Sequence, residues 1–200
     1  MTVLAAVDAF RRVSPGGTTL VEADADTFRA AMRCLASGVC LVTHSVGGAP
    51  AGMTATAIAS LSFDPPTLIV CLNRAASTYP GLAPGAAFGV SVLGADDREL
   101  AERFGGRAGA EGAERFREGR WLIPPSGAPL LWDALAAFDC EVEDVIERHT
   151  HAIVIGRVRR TAAGAGGGAL VYWRGGYDQL GWSRDELSRA TGLSPQTGRR

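Results

Sequence analysis

Residues 51–73 read AGMTATAIASLSFDPPTLIVCLN, and this stretch decides which fold the chain can adopt. It contains no Lys, Arg or Glu, so little of it suits a solvent-facing segment. Its first half is small and hydroxylated, with Gly52, Thr54, Ala55, Thr56, Ala57, Ser60 and Ser62, which keeps backbone amides and hydroxyls within reach of a bound ligand. Pro65-Pro66 then breaks the run, because proline cannot donate to a sheet ladder and restricts the residue before it. The apolar, β-branched run 67–72 reads as a buried strand. Two strands joined at a proline turn, the first built of small residues, make a wall for a flat ligand with polar edges.

Upstream, Asp24 or Asp26 can cap a helix in which Phe28, Ala31, Met32 and Leu35 fall at helical spacing, with Gly38 as its stop. This helix is expected to cover a barrel face. Residues 39–45 read as a strand, and Gly47-Gly48 turns it into the central stretch. Downstream, Ser77-Thr78 start a short helix over 79–83, residues 87–93 alternate as a strand, and Asp96 caps a helix through Phe104. Residues 105–119, rich in glycine and charge, form a loop with at most a helical turn. Strands at 135–147, 150–161 and, last, 169–173 follow. Few helices separate these strands, which points to a mostly antiparallel sheet and argues against a doubly wound parallel one. About six strands closing on themselves would remove free edges and give a small barrel. Residues 23–182 then form the domain, 1–22 an extension with a short helix over 3–12, and 183–200 a helix and loose polar tail.

At 200 residues the chain has the length of one ordinary domain. Its net charge of −1, with mixed signs, gives no field for nucleic acid or an anionic membrane surface. All 20 basic residues are arginine, which excludes Schiff-base lysine chemistry and a Walker-type phosphate lysine. A phosphate must therefore be held by arginine, hydroxyls or backbone amides. Cys34, Cys40, Cys71 and Cys140 contain no Cys-x-x-Cys pair and read as reduced thiols. No apolar run approaches the ~18 residues of a membrane span, and a cytoplasmic location is expected.

Gly-Met-Thr-Ala-Thr-Ala at 52–57, Ser-Leu-Ser-Phe-Asp-Pro-Pro at 60–66 and Cys-Leu-Asn-Arg-Ala-Ala-Ser-Thr at 71–78 resemble the flavin reductase family, the short-chain reductase components of two-component flavin monooxygenases. The resemblance runs from about residue 28 to 180. It implies a mainly β fold with peripheral helices, a six-stranded antiparallel Greek-key split β-barrel that forms a homodimer. It also implies that Gly52, Met53, Thr54, Thr56 and Ala57 line a flavin ring. Cys71, Leu72, Asn73, Ser77, Thr78, Arg103 and Phe104 match family positions around the ribityl chain and phosphate. In the family a histidine precedes a glycine by five residues near the nicotinamide, as His151 precedes Gly156. The usual glycine two residues before that histidine is His149 here. Trp173, Arg174, Gly175 and Tyr177 match the family's positions beside the nicotinamide nucleotide.

The residues themselves support these assignments unequally. Ser77-Thr78 at a helix start, with Arg74 or Arg103 to add charge, suits an anion. Thr54, Thr56 and Asn73 could equally be half-buried strand residues, and Tyr172 to Tyr177 a core and rim. Glu147, His149 and His151 alternate, so on a strand all three share one face and could seed a two-histidine, one-carboxylate metal site. With no partner ligand placed nearby, no metal is expected. Residues 164–169 match a dinucleotide fingerprint in spacing, but a strand pattern follows where a helix is required, so a hairpin loop is expected. Arg157, Arg159 and Arg160 could favour the 2′-phosphate of NADPH or be a solvated strand face.

The resulting expectation is an NAD(P)H:flavin oxidoreductase that reduces FMN or FAD and supplies a separate monooxygenase. The cofactors carry the chemistry and the protein holds their rings together. Two rivals stay open, a flavin enzyme acting directly on an organic substrate and a split barrel that stores flavin or haem without turnover. The choices between FMN and FAD, and between NADH and NADPH, stay open with them.

Overall fold

The apolar runs and their turns organise the chain into twelve strands among the residues that a computed structural model of the protein describes, 20–106, 109–164 and 166–182 with Glu186 and Arg189. The expected helix over 3–12 and the tail after 182 lie outside the described residues, Glu186 and Arg189 excepted. The chain divides into two compact units between Cys34 and Leu35. In the first, α1 (Ala25–Met32) is capped by Asp24, whose carboxylate accepts from the amides of Asp26 and Thr27 at 3.0 and 2.8 Å. No residue of α1 is buried, and Phe28 is 62% exposed.

The second unit holds β1 (Ser37–Gly38), β2 (Cys40–Val46), β3 (Ala49–Ala55), β4 (Ile58–Phe63), β5 (Pro66–Asn73) and β6 (Ala87–Val92). It continues with α2 (Arg98–Phe104), β7 (Trp121–Leu122), β8 (Leu130–Leu131), β9 (Ala136–Arg148), β10 (His151–Ala163), β11 (Ala169–Trp173) and β12 (Gly176–Leu180). Seven of these strands form one antiparallel sheet in the order β3-β2-β6-β9-β10-β5-β4. Its two edges, β3 and β4, are consecutive in sequence and joined only by Thr56-Ala57. So short a link cannot span an open seven-stranded sheet, so the sheet must curl until its edges lie side by side. The Cys71 amide donates to the Ala57 carbonyl at 2.9 Å, one step beyond the Ile58–Val70 pair, and so ties the link between the two edges to β5.

Two buried clusters follow from strand alternation. On β2, Cys40 and Val42 join Val70, Leu72, Phe88, Val90, Val142 and Val154 inside the curled sheet. Val39 and Leu41 join Leu93, Ala101, Phe104, Leu130, Leu131 and Leu170 on its outer side, under α2 and β11. At Gly156 a Cβ would collide with the Phe88 ring, so that strand position has room only for glycine. Burial pushes the thiols of Cys40 and Cys140 up to about 12, and no cysteine forms a disulfide.

Several sequence expectations change here. The stretch 51–73 carries parts of three strands, because the small residues Thr56-Ala57 let the chain leave β3 before β4 begins. The main sheet has seven strands, not six, and smaller sheets β1-β11-β12 and β7-β8 accompany it. Residues 164–168 do not close a hairpin. β10 and β11, on either side of them, belong to different sheets. A further strand, β12, follows β11 through a tight turn at Arg174-Gly175, both with positive φ (52° and 86°). The helix expected after Asp96 begins at Arg98, behind a 3-10 turn over Ala95–Asp97.

Candidate functional site

Along β3 the candidate ring-lining side chains point two ways. Gly52 faces Phe104, where an added Cβ would lie 2.9 Å from the ring, and the Thr54 hydroxyl donates to the Ala101 carbonyl at 2.7 Å. Met53 packs on the opposite side, against the cluster inside the sheet. With these side chains engaged and the Gly52 carbonyl taken by Arg115, the part of this stretch left to a ligand is half-buried Thr56 and exposed Ala57. Phe104 itself is 1% exposed and stacks edge-on against Phe116 at 4.9 Å. It supports the wall and has no free face.

On β5, Leu72 is core, whereas Cys71 and Asn73 alternate outward beside the seam. Asn73 shapes the turn after β5, its side-chain oxygen accepting from the Ala75 amide at 2.9 Å. The expected helix start at Ser77-Thr78 is only a 3-10 turn over Tyr79–Gly81, too short to build a helix dipole. Ser77 is exposed. Thr78 is wholly buried and its hydroxyl has no partner, so of this pair only Ser77 offers a hydroxyl to a ligand as the chain stands. Arg74 pairs with Glu147 at 2.8 Å, and the Tyr79 hydroxyl donates to the same carboxylate at 2.7 Å. That contact raises the Tyr79 pKa.

His151 opens β10 opposite Asn73, and its Nδ1 lies 2.8 Å from the Thr150 hydroxyl. The three alternating residues do not share a strand face. His149 sits in the β9–β10 turn with φ 51°, and Glu147 is engaged by Arg74 and Tyr79. Trp173, Arg174, Gly175 and Tyr177 belong to the β11–β12 hairpin of the small sheet. β10, which carries His151, pairs with β9 and β5, while β11 pairs with β1 and β12. The Arg174 guanidinium stacks over Trp173 at 4.4 Å. Tyr177 meets Tyr172 at 5.2 Å and approaches Gly105 at the end of α2.

Arg103, on α2, is bonded to Glu118 and lines a cleft of about 400 Å³ with Arg117 and Glu114. Arg157, Arg159 and Arg160 are each held by an acid of β9: Glu143 at 2.5 Å, Glu141 at 2.9 Å and Asp139 at 2.8 Å. These pairs satisfy the charges that could have favoured a 2′-phosphate.

Two residues beside the candidate site escaped the sequence reading. Arg115 donates from Nε to the Ala110 carbonyl and from Nη1 to the Gly52 carbonyl, both at 2.9 Å, and clasps the 105–119 loop to β3. Its sequence signal is hidden in a loop dense with charge. His44, on β2, lies beneath Gly81 with both ring nitrogens unpartnered. Burial lowers its pKa, opposed by the nearby Thr78 carbonyl.

A curled antiparallel sheet whose neighbouring strands β3 and β4 form both edges is a split β-barrel. The chain belongs to the flavin reductase family, whose flavin reductase like domain matches residues 32–181. It is 43% identical over 155 residues to the FMN reductase (NADH) RutF of Methylorubrum extorquens, covering 76% of this chain and 73% of the relative. A solved structure described as a flavin reductase from Haemophilus somnus superposes with a TM-score of 0.75 at 33% identity, covering 79% of this chain and all of that one. BorF, the flavin reductase component of a bacterial two-component tryptophan halogenase, gives 0.73 at 32% identity, with coverages of 79% and 99%. Among the described residues no helix is long and apolar enough to cross a membrane.

Proposed function

We propose that this chain reduces FMN with NADH and releases the reduced flavin to a separate flavin-dependent monooxygenase. The observation that carries this reading is the seam. The Cys71–Ala57 bond gathers Thr56, Ala57, Cys71 and Asn73 at one rim, and His151 stands opposite Asn73. The residues fit a flat ring with a phosphate tail. The Thr56-Ala57 break offers backbone and hydroxyl groups to a ring with alternating donors and acceptors, and exposed Ser77 is a donor for its tail. When bound, the nicotinamide supplies a hydride from C4 and the flavin accepts it at N5. The chain's task is then to hold the rings in contact and exclude water. His151 orients the nicotinamide, Thr56 and Ala57 hold the flavin ring with Asn73 beside its ribityl chain, and no side chain has to move a proton.

The NADH-dependent FMN reductase activity of RutF supports FMN and NADH, and the acid-paired arginines on β10 give NADPH no specific support. BorF's role as a component supports delivery to a partner enzyme. We also propose a homodimer, supported by Leu61 and Phe63, 54% and 88% exposed on edge strand β4. NADH oxidation followed with and without free FMN or FAD tests the reading. Turnover that requires added FMN supports it, whereas turnover that requires an organic substrate, or none at all, rejects it.

A further inference from the structure

Arg74 follows β5 and grips the end of the β9–β10 hairpin. Its amide donates to the Thr150 carbonyl at 3.0 Å and its Nη1 to the His149 carbonyl at 3.2 Å, while Nη2 lies 2.8 Å from the Glu147 carboxylate. The Tyr79 hydroxyl donates to the same carboxylate at 2.7 Å and so fixes it beside the guanidinium. The hairpin turns on two residues, His149-Thr150, and His149 takes φ 51°, a conformation that glycine adopts freely and a side chain resists. Thr150 in turn holds His151, with its hydroxyl 2.8 Å from the imidazole Nδ1. A planar fork that engages two acceptors at once restrains such a turn in a way that one bond would not.

We propose that Arg74 is a positioning residue for hydride transfer, which braces the strained His149-Thr150 turn and thereby keeps the His151 imidazole directed at the nicotinamide. The proposal rests on the flavin reductase reading, in which His151 orients that ring. The side chains of Arg74 and Glu147 are 42% and 49% exposed, so their ion pair adds little to global stability, and its loss is read in the geometry of the turn. A loosened turn changes how often His151 stands where the reaction needs it, and near-attack geometry is steeply sensitive to small displacements. Arg74 acts through the strain of the turn, so a turn that needs no bracing makes it dispensable.

The test is steady-state NADH kinetics at saturating FMN in the full chain, with FMN affinity by fluorescence quenching and a melting curve on each preparation. The proteins compared are wild type, R74A, H149G and the R74A/H149G double variant. R74A should lower kcat/KM for NADH about fivefold, with FMN affinity within about twofold of wild type and the melting temperature near it. H149G should stay near wild type, since glycine takes φ 51° without strain, and in the double variant it should restore most of the lost kcat/KM. An R74A protein with wild-type NADH kinetics overturns the proposal. So does a loss that H149G fails to restore, because the guanidinium would then act on the nucleotide by its own charge. An equal loss of FMN affinity also overturns it, by placing the guanidinium at the flavin phosphate. If R74A does not fold, R74Q carries the same expectations, its amide being too short to reach both acceptors. Wild type that oxidises no NADH with FMN overturns the flavin reading together with this proposal, whereas full activity in every variant overturns the proposal alone.

Discussion

Asn73 and His151 face each other as cross-strand partners at the ends of β5 and β10, so a turn-forming amide and an imidazole share one rim although they are far apart in sequence. His151 is exposed, and among the described residues its side chain hydrogen-bonds only locally, with Thr150. Its imidazole is therefore available to a ligand.

The substitution His151→Ala should reduce kcat/KM for NADH about tenfold, equivalent to about 1.4 kcal/mol of lost orientation. FMN affinity should stay near wild type, and stability should change by less than about 0.5 kcal/mol, as expected for an exposed side chain. Steady-state kinetics, fluorescence quenching and a melting curve on one preparation read all three. Unaltered NADH kinetics in the folded variant would remove His151 from the site.

Gly52→Ala should destabilise the protein by about 1 to 3 kcal/mol, the usual cost of overpacking a filled site. The added methyl would lie 2.9 Å from the Phe104 ring, 3.0 Å from Thr43 Cγ2 and 3.1 Å from the Val42 carbonyl. Denaturant unfolding checks this. A variant as stable as wild type would mean that Phe104 moves aside freely.

Arg157→Ala should leave the ratio of NADH to NADPH use unchanged. The guanidinium is bonded to Glu143 at 2.5 Å, so little of its charge is free to attract a 2′-phosphate. Initial rates with both nucleotides decide the matter, and a marked loss of NADPH use would return this strand to the nucleotide site.

His44→Leu should raise stability by about 1 kcal/mol at neutral pH, because it replaces two buried, unpartnered ring nitrogens with an apolar group. It should also flatten the acid limb of the stability profile. Burial lowers the His44 pKa in the folded chain, so below about 6.5 the unfolded state takes up a proton that the folded state resists. The wild type therefore keeps this contribution above that pH and loses it as pH falls. Urea unfolding between pH 5 and 8 measures both effects, and a variant with the wild-type acid limb would assign it to other groups.

The sequence by itself determined most strands of the main sheet, the Gly47-Gly48 turn and the family. Their signals are local: β-branched alternation in β6, Gly47-Gly48 between β2 and β3, and the 52–78 motifs whose residue types repeat in sequence order. Even there, the small residues that mark a ligand wall also hid the break at Thr56-Ala57, since a run of weak strand formers gives no sign of where pairing changes partner. Which candidates face outward, and which support the wall from behind, was decided only by the tertiary structure. Phe104, Leu72 and Thr78 fit the family pattern as well as Asn73 and Ser77 do, yet they are buried because the curl of the sheet and the fold of α2 over β3 set their direction. The pairing of Arg157 with Glu143, the lack of such a partner at Arg115 and the two orphaned nitrogens of His44 depend on contacts between strands and loops distant in sequence. Composition supplies charges and hydroxyls, but register and packing determine which of them remain unpaired.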